Sequence, residues 1–191
     1  MSPLPGSLPT IMVRQGTPWW RVHSAAHGPV WFGPAPGRGP RNRFDAPNRE
    51  YRVCYLGDSP EVSIAETIIR QPHTRLVSRT VLEASIASRF PISRELKLVR
   101  LHGPGLLRLG IGADVAHGYP YDQCQQLALE LWQHGDAVDG IEYLSRWDND
   151  RFCFALFDRA ADALGAPDHT LSLADPRRTS PILHRYRIGI L

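Results

Sequence analysis

Apolar and polar residues alternate most sharply from Tyr51 to Leu56, with Tyr51, Val53 and Tyr55 on one face of a predicted strand and Arg52, Cys54 and Leu56 on the other. Gly57 and Asp58 end the pattern. Helix signals follow: Asp58 or Ser59 as cap, Pro60 in the first turn, an early Glu61 and a stop at Pro72. The spacing predicts a helix from Pro60 to about Arg70, on which Val62, Ala65 and Ile69 share a face and Ile64 and Ile68 cover another. Glu66 projects from the middle of the first face. A carboxylate there needs a partner or a task, because burying an unpaired charge is costly. The ordinary partner is Arg70, one turn on.

Elsewhere the pattern predicts a short strand at Trp19 to His23 that carries Arg21, and strands at Leu96 to Leu101, Val138 to Tyr143 and Arg151 to Phe157. Asp122 caps a helix to about His134, with Cys124, Leu127, Ala128 and Leu131 as its apolar stripe and Gly135 at its end. Ser145 and Arg146 fall in the turn LSRWDND, where a serine is ordinarily a turn hydroxyl. After Asp158 the reading is a short Ala-rich helix, a polar loop and a last strand at Tyr186 to Leu191. Residues 71–94 give no clear period, and a segment near Leu76 to Ala87 reads equally as strand or helix. Strands grouped at both ends with helices between them indicate an α+β domain of small, mostly antiparallel sheets. Residues 1–17 read as an N-terminal extension and 18–191 as one domain.

Composition narrows the function classes. With 191 residues, 42% of them apolar and 21% charged, the chain suits a single globular core. MSPLPGSLPT has neither a basic start nor a long apolar run, so no signal peptide or membrane span is expected, and the cytoplasm is the expected location. Cys54, Cys124 and Cys153 are odd in number and far apart, which predicts reduced core thiols. The eight histidines show no metal-ligand spacing, so no metal is expected. A net charge of +3 admits anionic ligands without being a nucleic-acid signature. Arg38, Arg41 and Arg43 stand in a Gly/Pro-rich loop of the kind that often binds ligands, with no phosphate-binding glycine motif beside it.

The residues that draw attention resemble one family as a set. WRVHSA with Arg21, RFD with Arg43, CYLGDS with Tyr55, SIAET with Glu66, YDQCQ, and DGIEYLSR with Ser145 ahead of FCFALFD resemble, in order and approximate spacing, the RES-domain toxins of Xre–RES toxin–antitoxin modules. The likeness spans most of Trp20 to Phe157. It implies a fold similar to ADP-ribosyltransferases and NAD+ as substrate, with ADP-ribose passed to water, phosphate or a protein. It also implies an Xre-type antitoxin over the active site, with Gly28 to Pro40 as a rim. Departures from the family pattern are Val22 after Arg21, and Asn42 and Asp45 around Arg43 and Phe44.

The implied roles suit the residue types. Glu66 is the expected catalytic carboxylate, stabilising an oxocarbenium-like ribose. Arg21, also assigned to catalysis, and Arg43 would grip the pyrophosphate, because a guanidinium is a planar, permanently charged fork. Tyr55 would offer a ring to nicotinamide and Ser145 a hydroxyl to ribose or amide. The family serine is matched at Ser145 or near Asp122. Two other readings stand beside this one. An RNA-cleaving toxin would use the loop Arg38 to Arg43 with Glu66 and His23 as an acid/base pair, and a binding module would use no chemistry at all. Direct DNA binding by this chain is not expected.

Overall fold

The computed structural model describes residues 3–70, 73 and 75–191; the expected helix stop at Pro72 lies outside them. Ten strands run through the chain among the described residues: β1 (Thr10–Val13), β2 (Pro18–Ser24), β3 (Val53–Gly57), β4 (Leu76–Val77), β5 (Ser85–Pro91), β6 (Leu96–Leu101), β7 (Gly140–Leu144), β8 (Phe152–Phe157), β9 (His169–Ser172) and β10 (Gly189–Ile190). Six helices accompany them: α1 (Pro60–Thr67), α2 (Arg79–Glu83), α3 (Pro104–Leu109), α4 (Ala113–His117), α5 (Asp122–Gln133) and α6 (Pro176–Arg185).

The α+β class and mostly antiparallel pairing are as expected. The strands are gathered into one large sheet of order β1-β6-β7-β8-β3-β2-β5-β9, in which only the β6–β7 pairing is parallel, and β4 and β10 pair separately in parallel. Residues 10–13 form its edge strand, so part of the N-terminal extension is paired into the sheet. The stripe of α5 is buried as predicted, together with Tyr51, Val53, Ile141 and Ala155. Cys54 and Leu56 are buried on the opposite face with Trp19, Phe90 and Leu156, which confirms the alternation read along β3. All three cysteines are free and buried.

Several local expectations shift. α1 ends at Thr67, three residues short of the predicted end, where the backbone N–H groups of Ile68 and Ile69 both reach the carbonyl of Ile64. The undecided segment resolves into three elements, β4, α2 and the long β5, whose in-register pairing with β2 supplies the periodicity partner that local sequence lacks. The Ala-rich segment after Asp158 is a tight 3-10 turn. The polar loop contains α6, which the basic residues, Ser180 and Pro181 disguise. Its Asp175 side chain caps Arg177 N–H at 2.9 Å, Pro176 opens it, and only Thr179, Ile182 and Leu183 face the core. The expected last strand shrinks to the two residues of β10, following that helix.

The junction of β2 and β3 decides where function can sit. β2 pairs with β5 along seven residues, but with β3 only through Trp20 and Gly57. The sheet splays below that point. The backbone edge of Val53 that β2 does not pair is met instead by the loop residue Gly33, with hydrogen bonds of 3.0 and 2.9 Å. Gly57 itself sits under α1: a Cβ there would lie 2.5 Å from Val62 Cγ1 and 2.7 Å from Ser63 Oγ. Gly57→Ala is therefore expected to push the first turn of α1 off the sheet at a cost of about 1–2 kcal/mol, read from the urea midpoint.

Candidate functional site: a basic cleft around a held carboxylate

Where β2 and β3 part, a cleft of about 680 Å³ opens. β2 supplies Arg21, β3 supplies Tyr55 and α1 supplies Glu66. The Gly/Pro-rich loop folds over one side with Trp31, Arg38, Arg41 and Arg43, and the turn after β7 brings Arg146 and Trp147 to the other. Among the described residues that line it, six arginines (Arg21, Arg38, Arg41, Arg43, Arg70, Arg146) face two carboxylates, Asp45 and Glu66. Such a cleft concentrates anions.

Glu66 is half-buried and its carboxylate is held from one side. Ser145 Oγ donates to Glu66 Oε1 at 2.6 Å and the Arg146 N–H donates to the same oxygen at 3.0 Å. Ser145 is 1% exposed and accepts the N–H groups of Trp147 and Asp148, each at 3.1 Å. It does not line the cleft. The hydroxyl lies beneath, converting a turn into a socket for the carboxylate, while Asp122 at the start of α5 also stays out of the cleft. The ordinary ion pair of Glu66 with Arg70 does not form: Arg70 Nε bonds the backbone carbonyl of Glu66 at 2.7 Å. α1 aims Glu66 because Ser59 caps it and Ser63 Oγ approaches the Trp20 carbonyl at 3.0 Å, locking helix to β2.

The basic loop is shaped by Asp45, a fully buried residue that the sequence reading noted only as a departure. Its Oδ2 accepts the N–H groups of Arg41 (2.9 Å) and Asn42 (2.8 Å), and its Oδ1 accepts the Tyr55 hydroxyl at 2.9 Å. An aspartate four residues after Arg41 in a loop is a turn-former, which is the signal that could have revealed it. Gln125 of α5 adds a bond from its side-chain amide to the Asn42 carbonyl at 3.0 Å. Tyr55 is thereby fixed by its hydroxyl and presents ring surface to the cleft. Burial first, and the Asp45 charge next, hold that phenol well above the usual tyrosine range, so it remains a donor.

Arg43 is 7% exposed, with its guanidinium 5.2 Å from the centre of the Tyr143 ring, a cation–π arrangement that lets a charged group sit at low exposure. Arg21 is half-buried and donates to the Pro29 carbonyl at 2.8 Å, linking β2 to the loop. Tyr143 and Cys153 complete the floor, and burial raises the pKa of each above its ordinary value. At the rim Trp31 is 51% and Tyr119 80% exposed. Arg146 reaches the Gly118 carbonyl at 3.4 Å and lies 5.6 Å from the ring centre of Tyr121. The structure thus brings Arg21, Arg43, Tyr55 and Glu66 to one cleft with Ser145 directly behind Glu66. His23 is elsewhere, bonded to Ser88 Oγ at 2.9 Å, and does not line the cleft.

Fold and site together define a mixed α/β domain whose split sheet holds an arginine-rich cleft with two hydrogen-bonded carboxylates, Asp45 beneath the basic loop and Glu66 on α1. The RES domain model matches residues 18–178, and the chain belongs to that family. A relative named probable toxin y4kH, from Sinorhizobium fredii (strain NBRC 101917 / NGR234), is 38% identical over 82 residues, which are 43% of this chain and 63% of that protein. The alignment thus spans less than two thirds of the relative's length. The crystal structure of the M. tuberculosis MbcT-MbcA toxin–antitoxin complex contains a chain of the same fold, with a TM-score of 0.65, 15% identity and coverage of 92% of this chain and 91% of that one. No helix of the described residues is long and apolar enough to cross a membrane.

Proposed function

We propose that the cleft binds NAD+ and breaks its nicotinamide–ribose bond, and that the chain is the toxin of a type II toxin–antitoxin pair. The observation that carries this reading is the Glu66 carboxylate, seated by Ser145 and Arg146 at the edge of an arginine-lined cleft. In the reaction the C–N bond breaks with its electron pair going to nicotinamide, which leaves neutral, and positive charge develops on the ribose. A carboxylate already fixed beside a ribose hydroxyl stabilises that charge without reorganising. A nucleophile then adds at the same carbon and loses its proton. Arg21 and Arg43 bind the pyrophosphate, and the Tyr55 ring packs on nicotinamide. The acceptor is water, phosphate or a protein.

An antitoxin of the Xre type is the proposed partner, covering the cleft in the cytoplasm. Trp31 and Tyr119, large aromatics exposed at the rim, are the kind of residue that anchors a protein interface. The relative's name and the toxin–antitoxin complex of matching fold support an antitoxin partner, and the Xre type rests on the family resemblance.

Pure protein incubated with NAD+, alone, with phosphate and with a cell lysate, is expected to release nicotinamide, and the companion product identifies the acceptor. Intact NAD+ in all three sinks the proposal. One observation favours a second reading, RNA as ligand: arginines and aromatics interleave around the cleft, which is how single strands are held. His23, the acid/base partner that reading needs, is outside the cleft. RNA cleavage without NAD+ loss in the same assay would reverse the ranking.

A further inference from the structure

The segment after residue 178, beyond the span matched by the family model, reaches back to the site. Tyr186 follows α6, and its hydroxyl donates to Asp148 Oδ2 at 2.8 Å. Arg185 reaches the same oxygen at 3.4 Å, and the Asp148 side chain is only 8% exposed. Asp148 lies in the turn that seats Glu66, three residues after Ser145. Its N–H donates to Ser145 Oγ at 3.1 Å, and that hydroxyl donates to Glu66 Oε1 at 2.6 Å. A continuous line of four groups therefore runs from the C-terminal segment to the cleft carboxylate.

The same segment also grips the helix that carries Glu66. Ile182 and Leu183 of α6, with Tyr186 and Ile188, pack in one cluster with Ile64, Ile68 and Ile69 at the inner side and end of α1. β10 extends the clasp by pairing with β4, and the Leu191 N–H reaches the Val77 carbonyl at 2.9 Å. Both supports of the carboxylate, the turn and the helix, thus meet at the C-terminal segment. Burial, and then the bond to Asp148, raise the Tyr186 phenol above its usual range, so it stays a donor.

We infer that Tyr186 is a positioning residue for the cleft, acting through Asp148 to hold the Ser145–Asp148 turn in the geometry that presents Glu66. Its consequence for turnover rests on the NAD+-cleavage reading proposed above. An aromatic ring without the hydroxyl suffices for packing in the isoleucine cluster, whereas only the hydroxyl bonds Asp148, so Tyr186→Phe separates the two roles.

In Tyr186→Phe, kcat for NAD+ cleavage is expected to fall roughly threefold to tenfold while KM stays within about twofold, because the pyrophosphate contacts are untouched. Amide hydrogen exchange over residues 145–149 should quicken severalfold, with the melting temperature lowered by no more than about 3–6 °C, the size of one lost hydrogen bond to a carboxylate that Arg185 still faces. Asp148→Asn, which keeps an acceptor for the hydroxyl, should lie between the two. A wild-type kcat in Tyr186→Phe overturns the inference, as does a loss of kcat matched by a fall in melting temperature of about 10 °C, which marks a merely structural residue. If wild-type protein leaves NAD+ intact with every acceptor, the cleavage reading fails. The exchange measurement then decides alone: quickened exchange at 145–149 sustains the hold on the turn, and unchanged exchange refutes it.

Discussion

Glu66→Gln is expected to fold normally and, on the proposed NAD+-cleavage reading, to cleave NAD+ on the order of a hundredfold or more slowly than wild type. Glutamine keeps the length of the side chain and a carbonyl oxygen that can accept from Ser145 Oγ and the Arg146 N–H, the two donors that fix Oε1. The socket therefore survives. What disappears is the negative charge, which in the proposed mechanism matters only when the ribose becomes positive, so binding through Arg21, Arg43 and Tyr55 is expected to persist while the chemical step is lost. Nicotinamide release, NAD+ affinity by calorimetry and thermal melting on one preparation test each part. Near-normal cleavage by a folded Glu66→Gln protein would remove Glu66 from the reaction, and with it the main support for the proposed function.

Ser145→Ala should damage stability and turnover together. The hydroxyl at 1% exposure is both the donor to Glu66 Oε1 and the acceptor for the N–H groups of Trp147 and Asp148. Alanine removes one charge-assisted bond and strands two backbone donors, at a cost of about 2–3 kcal/mol, less whatever water restores. Loss of the socket frees the carboxylate to rotate, and cleavage is expected to drop by at least about tenfold. Ser145→Cys keeps a weak donor and should recover part of the stability but little of the rate. Urea midpoints and initial rates separate these outcomes; a Ser145→Ala protein as active as wild type would mean that the Glu66 orientation observed here is not the reactive one.

The tie between Ser145 and Glu66 shows how far local reading carried. The order Arg21, Arg43, Tyr55, Glu66, Ser145 was legible through the resemblance to the RES-domain family; the local pattern by itself singled out Glu66, a carboxylate on an apolar helix face, whereas Tyr55 fits the strand alternation and Ser145 an ordinary turn. The helix of Glu66 was legible from its cap and first-turn proline, and its position beside other apolar residues correctly implied that the carboxylate needs a partner. The partner itself was not. Arg70 is the nearest candidate along the helix, yet Ser145, 79 residues away, takes the role.

Hydrophobic period and turn chemistry act over a few residues, so the sequence alone determined β3 and α5 with the faces they bury, the strands β6 and β8, and the α+β class. Gln125 and Tyr186 carry no such period, and their hydrogen-bonding roles, like the bond of Asp45 to the Tyr55 hydroxyl, exist only in the folded chain. The disguised helix α6 likewise gains its stability from the isoleucines of α1 rather than from its own proline-bearing sequence. Tertiary structure alone decided that β2 and β3 part after one pairing. That split turns scattered arginines and two carboxylates into a cleft, because strands kept in full register would bury the same backbone edges against each other and leave no room for a ligand.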